Sequence, residues 1–290
     1  MKKELNKIAK DTNQFLNSYL KKQTKTSLIT PMKYGLLPGG KKIRSKILVD
    51  VGKIFNVNYK TLIQIGGAVE CIHAYSLIHD DLPCMDNDIV RRGKLSTHKK
   101  YGEATAVLAG NSLLTLAFEI LSDNNLLLKE QTKIKIIKLI SEGSGHSGIA
   151  GGQYLDLSFE KKKISIKKII DMQIKKTGKL FAFCCLVPVL IANKKKKIIN
   201  RLEKIGYEIG LLFQIVDDLI DYKGNSKKAG KKTNKDQKKG KATLISLLGY
   251  KNTIKYANKL KLNIFRRLNS FGKKTEDLKD TINYILERKK

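Results

Sequence analysis

Two acidic clusters carry the chemistry this sequence could do: Asp80-Asp81-Leu82-Pro83-Cys84-Met85-Asp86 and Asp217-Asp218-Leu219-Ile220-Asp221. Each closes a long apolar stretch, residues 67–78 before the first and 209–216 before the second. Carboxylates crowded at the end of a buried segment repel one another and are tolerable only when cations neutralise them or some become protonated. An all-oxygen donor set favours a hard ion, Mg²⁺ or Ca²⁺, over zinc. Mg²⁺ in particular keeps waters and completes its shell with substrate phosphate oxygens. Two such clusters facing each other would hold a phosphorylated substrate through bridging ions. Either cluster alone reads as readily as a solvated acidic turn, but basic residues near both weigh against that.

The spacing fits the first reading. On an α-helix Asp217 and Asp221 lie about 40° apart on one face. Pro83 disfavours helical geometry at Leu82, so the helix ends after Asp80 and Asp81 and the chain can curl to return Asp86 to the same ion. The candidate metal ligands are therefore Asp80, Asp81, Asp86, Asp217, Asp218 and Asp221.

Together with Leu37-Pro38-Gly39-Gly40-Lys41-Lys42-Ile43-Arg44, Arg91-Arg92-Gly93 and Gly152-Gln153-Tyr154-Leu155-Asp156-Leu157, these motifs resemble the short-chain trans-prenyl diphosphate synthases, bacterial farnesyl enzymes above all. The resemblance runs in the family's order from about Leu37 to Gly249. It implies an isoprenoid-synthase fold and a Mg²⁺-dependent head-to-tail condensation. Isopentenyl diphosphate would join dimethylallyl or geranyl diphosphate to give farnesyl diphosphate and pyrophosphate, with three ions bound beside the substrate.

It also implies roles for single residues. Lys41, Arg44, His73 and Arg92 would bind the diphosphate of isopentenyl diphosphate, and Arg91, Lys176, Lys231 and Lys241 the allylic diphosphate. Lys176, Thr177 and Gln214 would face the allylic C–O bond and stabilise developing cationic charge. Asp236 would stand near the metals. Tyr75, five residues before Asp80, would close the floor of the cavity and stop growth at the farnesyl length. A homodimer packed through helices is the family's usual assembly. One departure is Ile245, where bacterial relatives usually carry proline, and it leaves the start of the following helix in question. Two rival readings stand: a geranylgeranyl diphosphate synthase, and a nonenzymatic lysine-rich binding protein that keeps the fold. The intact acidic, Arg-Arg and Lys-Thr positions weigh against the second.

The elements that must position these residues read as helices throughout. Residues 2–22 place Leu5, Ile8, Ala9, Phe15, Leu16 and Leu20 near helical spacing. Pro31 and Leu37-Pro38-Gly39-Gly40 mark a loop, and Lys41 to Phe55 a second helix with Lys41 and Arg44 on one face. Tyr59 to Asp81 is a long apolar helix, with Gly66-Gly67 permitting close packing, and Leu82 to Lys100 a charged loop. Helices follow over Glu103–Leu121, Gln131–Glu160 (broken around glycines), Ile166–Lys176, Gly178–Ala192 and Lys195–Tyr222. A lysine- and glycine-rich loop then runs from Lys223 to Lys241, before weakly amphipathic helices to the C-terminus. With no βαβ alternation, repeat or linker, the sequence predicts an all-α, single-domain bundle over residues 1–290, its long helices surrounding a central cavity.

Composition bounds the rest. The 290 residues are 41% hydrophobic and 29% charged, a globular composition, and 4 prolines leave room for long helices. A net charge of +32 raises nucleic-acid binding as an option. The excess is mostly lysine spread from end to end, so it reads as a cationic field that draws in anionic diphosphates, with no specific nucleic-acid site. The 4 cysteines show no CxxC spacing or disulfide framework, which places the chain in a reducing cytoplasm. The N-terminus leads into no apolar signal region, and the apolar run from Leu180 to Ala192, interrupted by Pro188, is too short to span a bilayer, so no membrane insertion is expected. Gly143-Ser144-Gly145-His146-Ser147-Gly148 is a literal GxGxxG, but lacks the preceding strand a dinucleotide site needs.

Overall fold

A computed structural model describes residues 1–37, 39–223 and 241–288, and they fold as the predicted bundle. Helix α1 (Lys2–Lys22) buries Leu5, Ile8, Thr12, Leu16 and Leu20 along one stripe. The next element corrects the sequence reading. Pro31 lies within helix α2 (Ile29–Leu36) instead of in a loop. It sits in the first turn, where its missing N–H would have had no intrahelical partner.

Helix α3 (Ile43–Ile54) begins after Lys41, so Lys41 does not share a helical face with Arg44. The break comes at Lys42, whose φ of 49° is left-handed. Nearly every residue of α3 is buried, charged ones included. Lys46 is ion-paired with Asp50 on its own helix and lies 3.1 Å from Glu4 of α1. Thr281 donates to the other oxygen of Asp50 at 2.7 Å, tying the last helix to the core.

Helix α4 (Tyr59–Asp80) is capped by Asn58, whose side chain accepts from the Thr61 N–H. It packs on α3 and on α6 (Glu103–Ser122) and delivers the first acidic motif at its C-terminal end. The segment expected as a charged loop holds a two-stranded hairpin, β1 (Val90–Arg91) against β2 (Lys94–Leu95), and a short helix α5 (Thr97–Tyr101). Arg92 and Gly93, with φ of 53° and 76°, form the two-residue hairpin turn.

Helices α7 (Glu130–Ser144) and α8 (Ile149–Ser158) follow, separated at the glycine-rich run that sequence had flagged, with no strand before it. Helix α9 (Ile166–Gln173) passes through a single π-helical turn, Ile174–Gly178, into α10 (Lys179–Ile191). Helix α10 is apolar on all sides and buried from Leu180 to Val189, as a central helix must be. It packs on α3 and on α11 (Lys196–Tyr222), which carries the second acidic motif.

Beyond Lys241 the chain resumes with α12 (Leu244–Leu248), α13 (Tyr250–Leu268) and α14 (Glu276–Glu287). Ile245 does not prevent α12 from starting. The Thr243 side chain accepts from the Ser246 N–H and Ser246 returns the bond, a capping box that needs no proline.

Candidate active site

The end of α4 and the last turns of α11 open onto one cavity. Asp80 and Asp86 line it from the first motif, Asp88 from just beyond that motif, and Asp217, Asp218 and Asp221 from the second. Leu77, Arg91, Asp156, Met172, Gln173, Lys176, Gln214, Lys241, Ala242 and Thr243 complete the wall. The two acidic clusters therefore face a shared space.

Lysines thread between the carboxylates. Lys176 pairs with Asp156 at 2.7 Å, and Lys241 bridges Asp86 at 3.0 Å and Asp156 at 3.4 Å. Burial works against the charge of Lys176, but Asp156, Asp80 and Asp86 outweigh it and raise its pKa. Burial lifts Asp80 to about 6; Lys176 and Arg91 draw it down, while Asp86 and Asp81 push it up. Burial would also raise Asp156, but Lys176 and Lys241 hold it below the usual carboxylate range.

This donor set fits a hard divalent cation. It is all oxygen, it gathers carboxylates from both motifs, and burial makes the ionised form of Asp80 costly, a cost that added positive charge would relieve.

Asp81 is placed differently from its neighbour. It is absent from the cavity wall and nearly fully buried, and its carboxylate grips Arg91 through Nε (2.9 Å) and a second, closer contact to Nη2. One residue along a helix turns a side chain by about 100°, which carries Asp81 away from Asp80 and toward the hairpin. Arg91 also reaches Asp88 at 3.3 Å and lines both the acidic cavity and a second hollow beneath the hairpin, alongside Arg92, Gly39 and Tyr34.

Thr177 and Gln214 meet directly. Thr177 Oγ1 donates to Gln214 Oε1 at 3.2 Å, Gln214 Nε2 donates to Asp218 at 2.8 Å, and Gln173 Nε2 donates to the other Asp218 oxygen at 3.2 Å. The π turn sets Lys176 and Thr177 in this position, and such turns interrupt the regular ladder mostly at functional sites. Glycines make room for it on both sides. A Cβ at Gly152 would lie 2.2 Å from the Lys176 nitrogen, and one at Gly210 would lie 2.5 Å from the Gly178 Cα.

Three of the residues expected to bind the second diphosphate, Arg44, His73 and Arg92, lie within electrostatic reach of one another. Arg44 is buried over the Phe181 ring (4.8 Å), and its Nε has no partner among the described residues. Lys41 lies over the Tyr284 ring at 5.3 Å. Desolvation, then Arg44, Arg92, Lys42 and Arg91, push His73 well below its ordinary pKa, so it is neutral among cations. Lys42 itself pairs with buried Glu70 at 3.7 Å. Tyr75 is buried and absent from the acidic cavity's wall, its hydroxyl directed at the Ser144 carbonyl at 3.4 Å. Lys231 and Asp236 lie outside the described residues.

Sequence reasoning missed Asp88, Asp156, Gln173 and Arg288. Asp156 stood inside a quoted motif, but its pairing with Lys176 had no signal of its own. Arg288 gave none at all, although it pairs with Asp217 at 2.9 Å.

Comparison with known proteins agrees with this geometry. Residues 25–285 match the polyprenyl synthetase family. Farnesyl diphosphate synthase of Escherichia coli (strain K12) is 37% identical over 99% of this chain and 98% of its own. The crystal structure of an FPP/GFPP synthase from Zymomonas mobilis is similar with a TM-score of 0.88 and 36% identity, covering 98% of both chains. A geranyltransferase from Helicobacter pylori, solved with magnesium and isoprenyl diphosphate, is similar with a TM-score of 0.82 and 32% identity over 96% of this chain and 95% of that one. Facing acidic motifs in an all-helical bundle, and kinship along nearly the whole sequence, lead to one conclusion: this chain belongs to the polyprenyl synthetase family.

Proposed function

We propose that the chain is a prenyltransferase that adds isopentenyl diphosphate to dimethylallyl or geranyl diphosphate, releasing pyrophosphate and making farnesyl diphosphate. The observation that carries this reading is the single cavity walled by both acidic motifs and by Arg91, Lys176, Gln214 and Lys241.

Magnesium held by Asp80, Asp86, Asp217, Asp218 and Asp221, as three ions when substrate is bound, would neutralise the allylic diphosphate and make it a better leaving group. Asp81 serves the same diphosphate indirectly, by fixing the guanidinium of Arg91 toward the cavity. Lys176 stays protonated among Asp156, Asp80 and Asp86, and with Lys241 it takes up charge on the departing diphosphate. The Thr177 hydroxyl and the Gln214 amide, locked to each other and to Asp218, direct fixed dipoles toward the allylic carbon. Lys41, Arg44, Arg92 and neutral His73 hold isopentenyl diphosphate, with its double bond facing the allylic carbon. The proton lost after bond formation leaves to the released diphosphate. Apolar walls such as Leu77 and Met172 keep water from quenching the cation.

The assembly in this reading is a homodimer. Helices α4 and α6 are both long and apolar enough to cross a bilayer, but 83% of the α4 window is buried inside the fold, against 44% for α6. Val107 and Leu108 stand exposed on α6, and a second copy of the chain covers them. The place of the chain in this reading is the cytoplasm.

Mg²⁺-dependent pyrophosphate release from isopentenyl and geranyl diphosphates, with chromatography of the product, tests the proposal. Farnesyl diphosphate is expected. A longer product would move the chain to the geranylgeranyl type, and no release at all would leave a binding protein.

A further inference from the structure

His79 immediately precedes the first acidic motif yet turns away from it. Its ring packs edge-on against Tyr75, with centroids 5.5 Å apart and planes at 89°. Its Nε2 lies 3.1 Å from the Val107 carbonyl on α6, and since a carbonyl only accepts, Nε2 carries the proton. Space for the imidazole exists only because residue 110 is glycine: a Cβ there would sit 2.2 Å from Nε2 and 2.5 Å from Cδ2. Tyr75 is thus fixed at two points, its ring by His79 and its hydroxyl at the Ser144 carbonyl where α7 ends.

We propose that His79 and Gly110 are positioning residues for product length: together they brace the Tyr75 ring so that a growing prenyl chain cannot push it aside. The inference rests on the reading of Tyr75 as the floor. A tyrosine ring held only by its own side-chain bonds yields when an apolar chain presses on it. One held edge-on by an imidazole, itself anchored to a neighbouring helix, does not. Neither His79 nor Gly110 lines the acidic cavity, so loosening the brace alters where elongation stops without touching the groups at the diphosphates.

The test is product chromatography with isopentenyl diphosphate, geranyl diphosphate and Mg²⁺ for the unaltered chain and for His79→Ala, His79→Phe, Gly110→Ala and Tyr75→Ala. His79→Ala and Gly110→Ala are expected to raise the ratio of longer to farnesyl product roughly tenfold, the scale of one lost edge-to-face contact. His79→Phe, which keeps an aromatic edge against Tyr75, is expected to retain the short product. The readout is a ratio, so a smaller folded fraction lowers both products without moving it, and Gly110→Ala carries the test if His79→Ala yields no enzyme. If Tyr75→Ala lengthens the product while His79→Ala and Gly110→Ala do not, the brace is refuted and the floor stands. If Tyr75→Ala leaves the length unchanged, the floor reading falls and the inference with it.

Discussion

Arg288, the last described residue, pairs with Asp217 of the second acidic motif at 2.9 Å and donates to the Phe213 carbonyl at 2.8 Å. Its guanidinium lies 3.7 Å from the centre of the Phe213 ring, and its side chain is only 7% exposed. A cation of the protein's own therefore balances a carboxylate that a divalent ion would otherwise neutralise. Arg288→Ala should cost the metal-free protein about 2 kcal/mol, the scale of a charged hydrogen bond. With Mg²⁺ and pyrophosphate added, the loss should shrink, because the ions replace the missing charge at Asp217. Thermal unfolding with and without these additions checks this; equal losses in both states would show that Arg288 serves packing alone.

How much of this was legible from sequence depends on whether the relation is local. Asp217 and Asp221 obey the ordinary helical period, and both line the cavity. The end of α4 after Asp80 followed from Pro83. The contacts of Asp156 with Lys176 and of Asp217 with Arg288 join distant parts of the chain, and no spacing rule reaches them. The π turn at Ile174–Gly178 shifts the helical register inside what read as two ordinary helices, so the facing of Lys176 could not come from a 3.6-residue period. Pro31 misled for a different reason. Proline breaks a helix interior but suits a first turn, and sequence did not reveal where α2 begins.

Asp80 and Asp217 should respond to substitution in opposite ways when no metal is present. Burial raises Asp80 to about 6, so its ionised form at neutral pH opposes folding, and Asp80→Asn should stabilise the metal-free protein by about 1–2 kcal/mol. Asp217→Asn instead deprives buried Arg288 of its counter-charge and should destabilise. Both variants should lower kcat by roughly a thousandfold, the scale of a lost electrostatic contact to a transition state. Melting curves paired with steady-state rates decide this; near-normal turnover in both would refute the metal assignments.

Gly152 should be irreplaceable although it carries no functional group. A methyl at this position meets the Lys176 backbone at 2.2 Å from N and 2.4 Å from Cα, and neither main-chain atom can swing aside. The π turn would have to move and take Lys176 and Thr177 with it. Gly152→Ala should lower kcat about a hundredfold, the effect of misplacing reacting groups by about an ångström. Gly143, on α7, has nothing within 4 Å of an added Cβ, so Gly143→Ala serves as the control and should leave rate and melting temperature nearly unchanged. A Gly152→Ala enzyme with full activity would mean that the turn does not position Lys176 and Thr177 for the proposed reaction.

His73 should leave a signature in the pH dependence of stability. Burial first, then Arg44, Arg92, Lys42 and Arg91, hold its pKa well below 6.5 in the folded protein. In the unfolded chain it takes up a proton near 6.5 as an ordinary histidine does. Below that pH the unfolded state binds more protons than the folded one, so this contribution to stability is present above pH 6.5 and is lost as pH falls. His73→Gln removes the titration, and the unaltered protein should lose about 1 kcal/mol more than the variant between pH 6.5 and 5.5. Urea unfolding of the metal-free protein at these two pH values measures the difference. Parallel losses in the two proteins would mean that the folded chain accepts the proton as readily as water-exposed histidine does, and that the surrounding cations do not hold His73 neutral.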